Sequence, residues 1–430
     1  MTNRPAPTTG AERRARERGP SSRDGGARDG GASPAAAPAA AGTEELAELA
    51  RAAGVLGIDT EFMSEGRYRA LLCLVQVAVP DPDAEGGARV VLLDPLERGG
   101  FDPAPLAKVL ADPAVEVVLH AGRQDIAILR RAWGTQVRNV FDTQIAAGFA
   151  GFAAQAGYGN LLADALGVRL AKSAGFTRWD LRPLTAEQVS YAGDDVVHLL
   201  PLADDLRRRL DASGRLGWAR QECTRLEDAT DERDPDTAWE RLPRVHQLSA
   251  RARAVARELA AWRERAAAAE DRPVGSVLAD APLLELARRQ PVSIGGLDRI
   301  RGLQPSTVRR RGEDLLAAVR RGMDAEPLLV EAQERLDIRP QDAPLIALGE
   351  SLARARALAA GLAYELVASR ADLEQVVSAV RRGDPEPPVR TLRGWRRDLV
   401  GEELLDLLDG RLLLGADGNG RLVTRELDAG

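Results

Sequence analysis

Gly57-Ile58-Asp59-Thr60-Glu61-Phe62 is a short, mostly apolar stretch carrying two carboxylates at alternate positions. In an extended strand successive side chains leave opposite faces. Asp59 and Glu61 therefore share one face, and Ile58, Thr60 and Phe62 share the other. Two neighbouring like charges on such a strand cost free energy through both repulsion and desolvation. A divalent cation between them removes that conflict, and an edge strand with both acids in water removes it equally well. What the rest of the chain brings to the same place decides between the two.

The chain has 430 residues, enough for about two to four domains. Hydrophobic residues make up 44%, ample for real cores, while aromatics at 4% leave the packing to Ala, Leu and Val. A formal net charge of -6 argues against adhesion of the whole chain to nucleic acid or membrane by charge alone, though local basic patches remain open. Cys73 and Cys223 are too few and too far apart for a disulfide framework or a zinc cluster, which fits a reducing cytoplasm. No apolar run is long enough to span a bilayer, and the N-terminus lacks the apolar core of a signal peptide. Residues 1–42, rich in Pro, Gly, Ala, Ser and Arg, read as a disordered arm.

From Thr43 the pattern changes to folded sequence, with Thr43 expected to cap a first helix. Strands are predicted over residues 55–62, 70–79, 89–94, 115–120 and 137–141. Helices are predicted over 105–110 and 124–133 and from Thr143 and Thr185. The order is three consecutive strands followed by alternating helix and strand. A purely parallel doubly wound sheet needs a helix between the early strands too. A mixed sheet of about five strands with helices on its faces, the ribonuclease-H-like arrangement, accommodates the pattern.

Later segments supply matching acids. Asp125, in Gly122-Arg123-Gln124-Asp125, falls in the first turn of the helix after His120. There it favours the helix dipole, and there ligands gather in α/β sheets. Asp142 ends the next strand and is expected to cap the following helix, a structural role. The helix from Thr185 opens with a Thr185/Gln188 capping box and a Leu184/Val189 staple. Tyr191 and Asp195, four apart, share one of its faces. Ala192, Val196 and Leu199 form the adjoining apolar face, and Pro201 is expected to bend or end the segment. Asp194 is the rival acid, less well spaced from Tyr191. Together Asp59, Glu61, Asp125 and Asp195 are hard oxygen donors without thiolates or clustered histidines, a set that suits Mg²⁺ or Mn²⁺ over zinc. Two such ions roughly 4 Å apart activate a water and stabilise the leaving oxygen of a phosphodiester. The Tyr191 hydroxyl is then placed to orient or deprotonate that water. No phosphate-binding Gly-rich loop or dinucleotide fingerprint is present.

Asp59-Thr60-Glu61-Phe62, His120-Ala121-Gly122-Arg123-Gln124-Asp125, Phe141-Asp142-Thr143-Gln144 and Tyr191-Ala192-Gly193-Asp194-Asp195, in this order and spacing, resemble the ribonuclease D family. That family belongs to the DEDD exonuclease superfamily, in its branch with a tyrosine in the third motif. Lys172, Trp179 and Arg182-Pro183-Leu184 also resemble its pattern. The resemblance implies that Asp59, Glu61, Asp125 and Asp195 hold two divalent cations, Mg²⁺ or Mn²⁺, and that Tyr191 positions the water. It implies a cytoplasmic, monomeric 3′→5′ exoribonuclease, without an obligate protein partner or a membrane. Such an enzyme releases nucleoside 5′-monophosphates from tRNA precursors or other structured RNA 3′ ends. Lys172, Arg178 and Arg182 are candidates for phosphate contacts, and Trp179 and Phe62 for stacking on a base, with core packing an equal account of Phe62. His120 and His198 are given no catalytic role. Two departures are visible. Tyr68-Arg69-Ala70 lacks the family's second aromatic and proline, and Gly193 replaces the usual alanine, loosening its helix by up to about 1 kcal/mol.

Residues 228–236 are charged and read as a linker. Beyond them, Leu242-Pro243-Arg244, Arg272-Pro273, Asp280, Ile300-Arg301-Gly302-Leu303 and Arg311-Gly312 resemble the helical HRDC domain. Arg309, Arg310 and Arg311 beside the turn at Gly302 form either a phosphate site or a solvated basic face. Tyr364–Arg370 and Leu392–Arg397 resemble a second, HRDC-like domain. The expected organisation is an arm (1–42), an exonuclease domain (43–227), a linker (228–236), HRDC (237–322), HRDC-like (325–412) and a loose tail (415–430). Two rival functions share these motifs: a Werner-type 3′→5′ DNA exonuclease, and an inactive nucleic-acid-binding protein. Discrimination at the 2′-OH is not legible in one sequence.

Overall fold

The computed structural model describes residues 42–170, 178–329, 338–384 and 387–427. The first two predicted strands pair with each other. β1 (Val55–Met63) runs antiparallel to β2 (Leu71–Pro80), and β3 (Ala88–Leu93) lies antiparallel on the outer side of β2. The chain then crosses back to the other side of β1. There β4 (Glu116–Leu119) lies parallel to β1, and β5 (Val140–Asp142) lies parallel to β4. The strand order is β3-β2-β1-β4-β5, the mixed five-stranded sheet expected from the element order. Because the chain builds out in both directions from β1, the crevice beyond the carboxyl ends of β1 and β4 is a topological switch point, where α/β sheets hold ligands.

Helices cover both faces. α1 (Thr43–Ala53), α2 (Ala104–Leu110) and α3 (Arg123–Trp133) bury Leu46, Leu106, Leu110, Ile126 and Leu129 against Ile58, Val75, Val77 and Val117. On the opposite face lie α4 (Thr143–Phe149), α5 (Tyr158–Leu166), α6 (Ala186–Val197), α7 (Leu199–Ala212) and α8 (Leu216–Thr224). Ala78, Val118 and Phe141 meet Phe149, Leu162, Val196 and Leu206 there. α7 seats closely on β1: a Cβ on Gly57 would lie 3.2 Å from Ala78 and 3.3 Å from Leu200, so a larger residue would push these neighbours back by a few tenths of an ångström. Thr43 is not the cap of α1, as the sequence led us to expect. Gly42 holds that position, and the Thr43 hydroxyl donates to the Asp102 carbonyl at 2.7 Å instead. The hydroxyl acts as a donor to a tertiary carbonyl, where capping would have its oxygen accept from a helix N–H.

The charged segment after α8 is strapped to α3. Arg130 donates to the carbonyls of Glu227 and Ala229 at 3.0 and 2.7 Å, and Arg131 grips Asp231 at 2.8 Å. Beyond it, α9 (Ala250–Glu270) packs with the helices Asp280–Arg289 and Pro305–Asp324 around Leu259, Leu283, Leu286, Leu315 and Val319. Arg311 in this region is engaged by Glu270 at 2.7 Å and lies over Trp262. The remaining helices share the apolar cluster of α4–α7 through Ile346, Leu352, Leu373 and Trp395. Trp395 stacks on Trp218 at 5.2 Å and meets Phe149 edge-on at 5.1 Å. Arg396, 2% exposed, donates to both carboxylate oxygens of Glu222 at 2.6 and 3.1 Å. The expected loose tail is instead a hairpin of β6 (Leu412–Ala416) and β7 (Leu422–Glu426). Asp417 orders its turn by accepting from the backbone N–H of Asn419 and Arg421, local chemistry that composition alone does not reveal.

Candidate active site

The two acids of β1 occupy the face that α6 covers. Asp59 sits opposite Gln76 and Glu61 opposite Leu74 in the β1–β2 ladder, and a bulge follows between Glu61 and Phe62. Bulges re-aim side chains at site rims, and this one lets the strand turn directly after its second acid. α6 starts at the capping box read from sequence: Thr185 accepts from the Gln188 N–H, and Gln188 accepts from the Thr185 N–H. Buried Ala192 and Val196 seat it on the sheet. Asp195 is thereby delivered to Asp59 and Glu61, and carboxylate oxygens of all three lie within 4.8 Å of one another. His198 ends α6 and α7 begins at Leu199, so the break comes just before Pro201.

Asp125 reaches the same place from the other face. It is 7% exposed in the first turn of α3 and lies outside the close triad. The hydroxyl of Thr60, between the two acids of β1 but on the α3 face, donates to it at 2.5 Å. One strand thus serves both halves of the site. The loop before α3 is held by Asp142, whose carboxylate accepts from the N–H groups of Ala121 (3.3 Å), Gly122 (2.8 Å), Gln144 (2.9 Å) and Ile145 (3.1 Å). Ala121 is in the left-handed region at φ 54°, a strained conformation that these bonds restrain. Gly122 is required, because a Cβ there would lie 2.6 Å from that of Leu119.

The electrostatics are those of uncompensated negative charge. Burial, then Asp125, Asp195 and Glu61, hold the Asp59 carboxyl well above its usual range. Burial, then Asp195 and Asp125, push Glu61 up to about 8. Burial pushes Asp195 up to about 7 against a hydrogen bond from Tyr191. Asp125 is raised by burial, partly offset by the Thr60 hydroxyl. Burial, then Asp195, raise the Tyr191 phenol, so it keeps its proton and acts as a donor to Asp195. Half-buried, hard oxygen donors that hold protons against their ordinary affinity are the donor set that a divalent cation completes. The residues fit such a group.

The candidate substrate contacts divide. Phe62 is half-buried, packed on the α1–α3 core with part of its ring open. Trp179, expected to stack on a base, is 6% exposed and packs with Cys73, Leu74 and Ala192, its ring 6.2 Å from that of Tyr191. It shapes the site wall. Arg182, expected on a phosphate, spends its guanidinium on both oxygens of Asp94 (2.5 and 2.6 Å) and on the carbonyls of Cys73 and Trp179 (2.7 Å each). That fork clamps the segment before α6 to β2, so it is a structural strap. Arg178 pairs with Asp180 at 2.8 Å in solvent. Lys172 lies outside the described residues. Two residues that sequence reasoning passed over belong here. Thr60 was assigned only to the strand's far face, although its place between the two acids was a usable signal. Tyr158 opens α5 with its ring 5.3 Å from His120 and its hydroxyl buried. Burial and the charges of Asp195 and Asp59 raise that phenol. A Cβ on Gly193 would meet nothing within 4 Å, so the departure there touches no neighbour.

Comparison with known proteins places this geometry. A family model described as 3′-5′ exonuclease matches residues 37–211, and the HRDC domain model matches residues 252–319. Ribonuclease D of Gluconacetobacter diazotrophicus is 39% identical over 382 residues, 87% of this chain and 94% of that protein. Ribonuclease D of Granulibacter bethesdensis is 38% identical over 87% of this chain and 93% of its own. Among solved structures, Escherichia coli RNase D, described as an exoribonuclease involved in structured RNA processing, superposes with a TM-score of 0.72. It is 32% identical, over 86% of this chain and 96% of that one.

Proposed function

The chain belongs to the ribonuclease D family of 3′→5′ exoribonucleases, and on that premise we propose how its residues divide the work. Asp59, Glu61, Asp125 and Asp195 would hold two divalent cations, Mg²⁺ or Mn²⁺, with the Asp59–Glu61–Asp195 triad as the core of the site. The observation that carries this is the approach of three carboxylates from two distant segments to within 4.8 Å. Held by these carboxylates, divalent cations would supply a lower proton affinity for the attacking water and a counter-charge for the departing 3′ oxygen. Thr60 fixes the Asp125 carboxylate, and Asp142 fixes the loop that carries it. The Tyr191 phenol, on the face it shares with Asp195, orients or deprotonates the attacking water. The α6 capping box sets the register that puts Tyr191 and Asp195 on the same face. Hydrolysis of the last phosphodiester then leaves a nucleoside 5′-monophosphate and a shortened 3′-hydroxyl end.

The proposal includes structured RNA ends such as tRNA precursors as the substrate, and a monomer acting in the cytoplasm. The likeness to an exoribonuclease of structured RNA processing supports the first. Two free, buried cysteines fit a reducing compartment. No helix among the described residues is long and apolar enough to cross a membrane. The test is degradation of matched 5′-labelled RNA and DNA oligonucleotides, with free or phosphate-blocked 3′ ends, in Mg²⁺, Mn²⁺ or EDTA. A ladder on free-ended RNA that EDTA abolishes is expected. DNA cut faster than RNA would transfer the assignment to a Werner-type enzyme, and retained but uncut RNA would leave a binding protein.

A further inference from the structure

The loop after β1, the first turns of α3 and the strap along it enclose a concavity. It has a volume of about 380 Å³ and is lined in part by Ser64, Arg67, Arg69, Gln124, Asp231 and Arg233. Ser64 directly follows β1 and Gln124 precedes Asp125 in the first turn of α3, so the concavity lies at the carboxyl-terminal edge of β1 and β4, the edge from which α3 delivers Asp125. Its charges are unevenly matched. Arg67 is paired with Asp271 at 2.7 Å, and Asp231 with Arg131 at 2.8 Å. Arg69 and Arg233 have no carboxylate partner among the described residues, and the Nε of Arg69 is buried without a hydrogen-bond partner. Glu232, also lining the cleft, is exposed and is the acid left facing them.

The two guanidiniums are nonetheless held in place. They lie over the ring of Tyr68 at 5.7 and 5.4 Å. Tyr68 is itself pinned to the helical region: its hydroxyl donates to buried Glu264 on α9 at 2.8 Å, and its N–H donates to Asp271 at 3.1 Å. Two cations without carboxylates, preorganised by an aromatic ring at the seam between the exonuclease domain and α9, suit an anion with several acceptor oxygens. We propose that this cleft is a phosphate-binding subsite for the RNA strand upstream of the scissile bond, with Arg69 and Arg233 each contacting a backbone phosphate. The inference rests on the exoribonuclease assignment for its ligand, and it gives the α9 region a role in holding the subsite through Tyr68.

The experiment compares wild type with the double variant Arg69→Ala/Arg233→Ala on a dinucleotide without a terminal phosphate, whose one phosphodiester is the scissile one, and on a single-stranded RNA of about ten residues. For the longer RNA, KM should rise on the order of tenfold with kcat unchanged, and log affinity against log salt should become shallower by about 1.4 for two lost phosphate contacts. Dinucleotide hydrolysis and inhibition by free 5′-AMP should match wild type, which separates strand backbone from free nucleotide. The Arg69→Lys/Arg233→Lys variant should recover most of the KM. An unchanged KM and salt slope would overturn the subsite, as would an equal loss on the dinucleotide, which would mark a structural role for the loop. If wild type cuts no RNA at all, the activity assignment fails separately. Anisotropy of labelled RNA in EDTA then decides the cleft by the same salt-slope comparison.

Discussion

Replacing Glu61 by Gln removes one charge from the carboxylate triad and should make the cation-free protein more stable in alkaline solution. Folding raises Glu61 from 4.5 to about 8. The folded state therefore binds more protons than the unfolded one between these values. The contribution to stability is complete below 4.5 and is lost as pH rises through about 8. The span is about three and a half tenfold steps in proton affinity, and at about 1.4 kcal/mol each it amounts to about 5 kcal/mol. Water and salt ions at the half-open site screen this to about 2–3 kcal/mol. In urea titrations with EDTA, wild type and variant should coincide at about pH 4, and at about pH 9 the variant should be the more stable by that amount. Divalent cation reverses the order: Mg²⁺ should stabilise wild type increasingly as pH rises, because the carboxylates must be ionised to bind it, and should stabilise the variant much less. A variant less stable than wild type at high pH in EDTA, or an equal Mg²⁺ effect on both, would refute the reasoning.

Three further outcomes follow from particular contacts. Tyr191→Phe should slow hydrolysis on the order of 10²–10⁴-fold in single-turnover assays while leaving Mg²⁺ stabilisation intact, and an unchanged rate would remove the phenol from the reaction. Asp142→Ala leaves four N–H groups at two helix starts without their acceptor. Denaturant melts should show a loss of about 2–4 kcal/mol, and kcat should fall as Asp125 loses its fixed loop. Glu222→Ala strands the buried Arg396 guanidinium and should destabilise the docking of the C-terminal helices by about 3–5 kcal/mol, read as faster hydrogen exchange around Trp395.

The sheet and the acids were legible because they rest on local rules. Strand alternation put Asp59 and Glu61 on one face, and the Thr185/Gln188 box fixed where α6 begins and hence which way Asp195 faces. What was illegible depends on tertiary partners. Thr43 lies inside α1, one residue past the cap, and its hydroxyl donates to the Asp102 carbonyl, a partner 59 residues away. Arg182 and Trp179 look like substrate contacts in a polar stretch, yet Asp94 and the Cys73–Ala192 packing absorb them. The hairpin over 412–426 is a different case: Asp417-Gly418-Asn419-Gly420 between two apolar runs is a local turn signal that a reading by composition passes over. The cleft at Arg69 joins segments far apart in the chain, from the β1–β2 loop to the strap, so no spacing rule connects them.

The most direct test of the cation-holding site is anomalous diffraction at the manganese edge from crystals soaked in Mn²⁺. The account predicts manganese in the pocket formed by Asp59, Glu61, Asp125 and Asp195, with a peak at the Asp59–Glu61–Asp195 triad that is absent from Asp59→Asn crystals. Manganese bound elsewhere, with this pocket empty in the wild type, would contradict it.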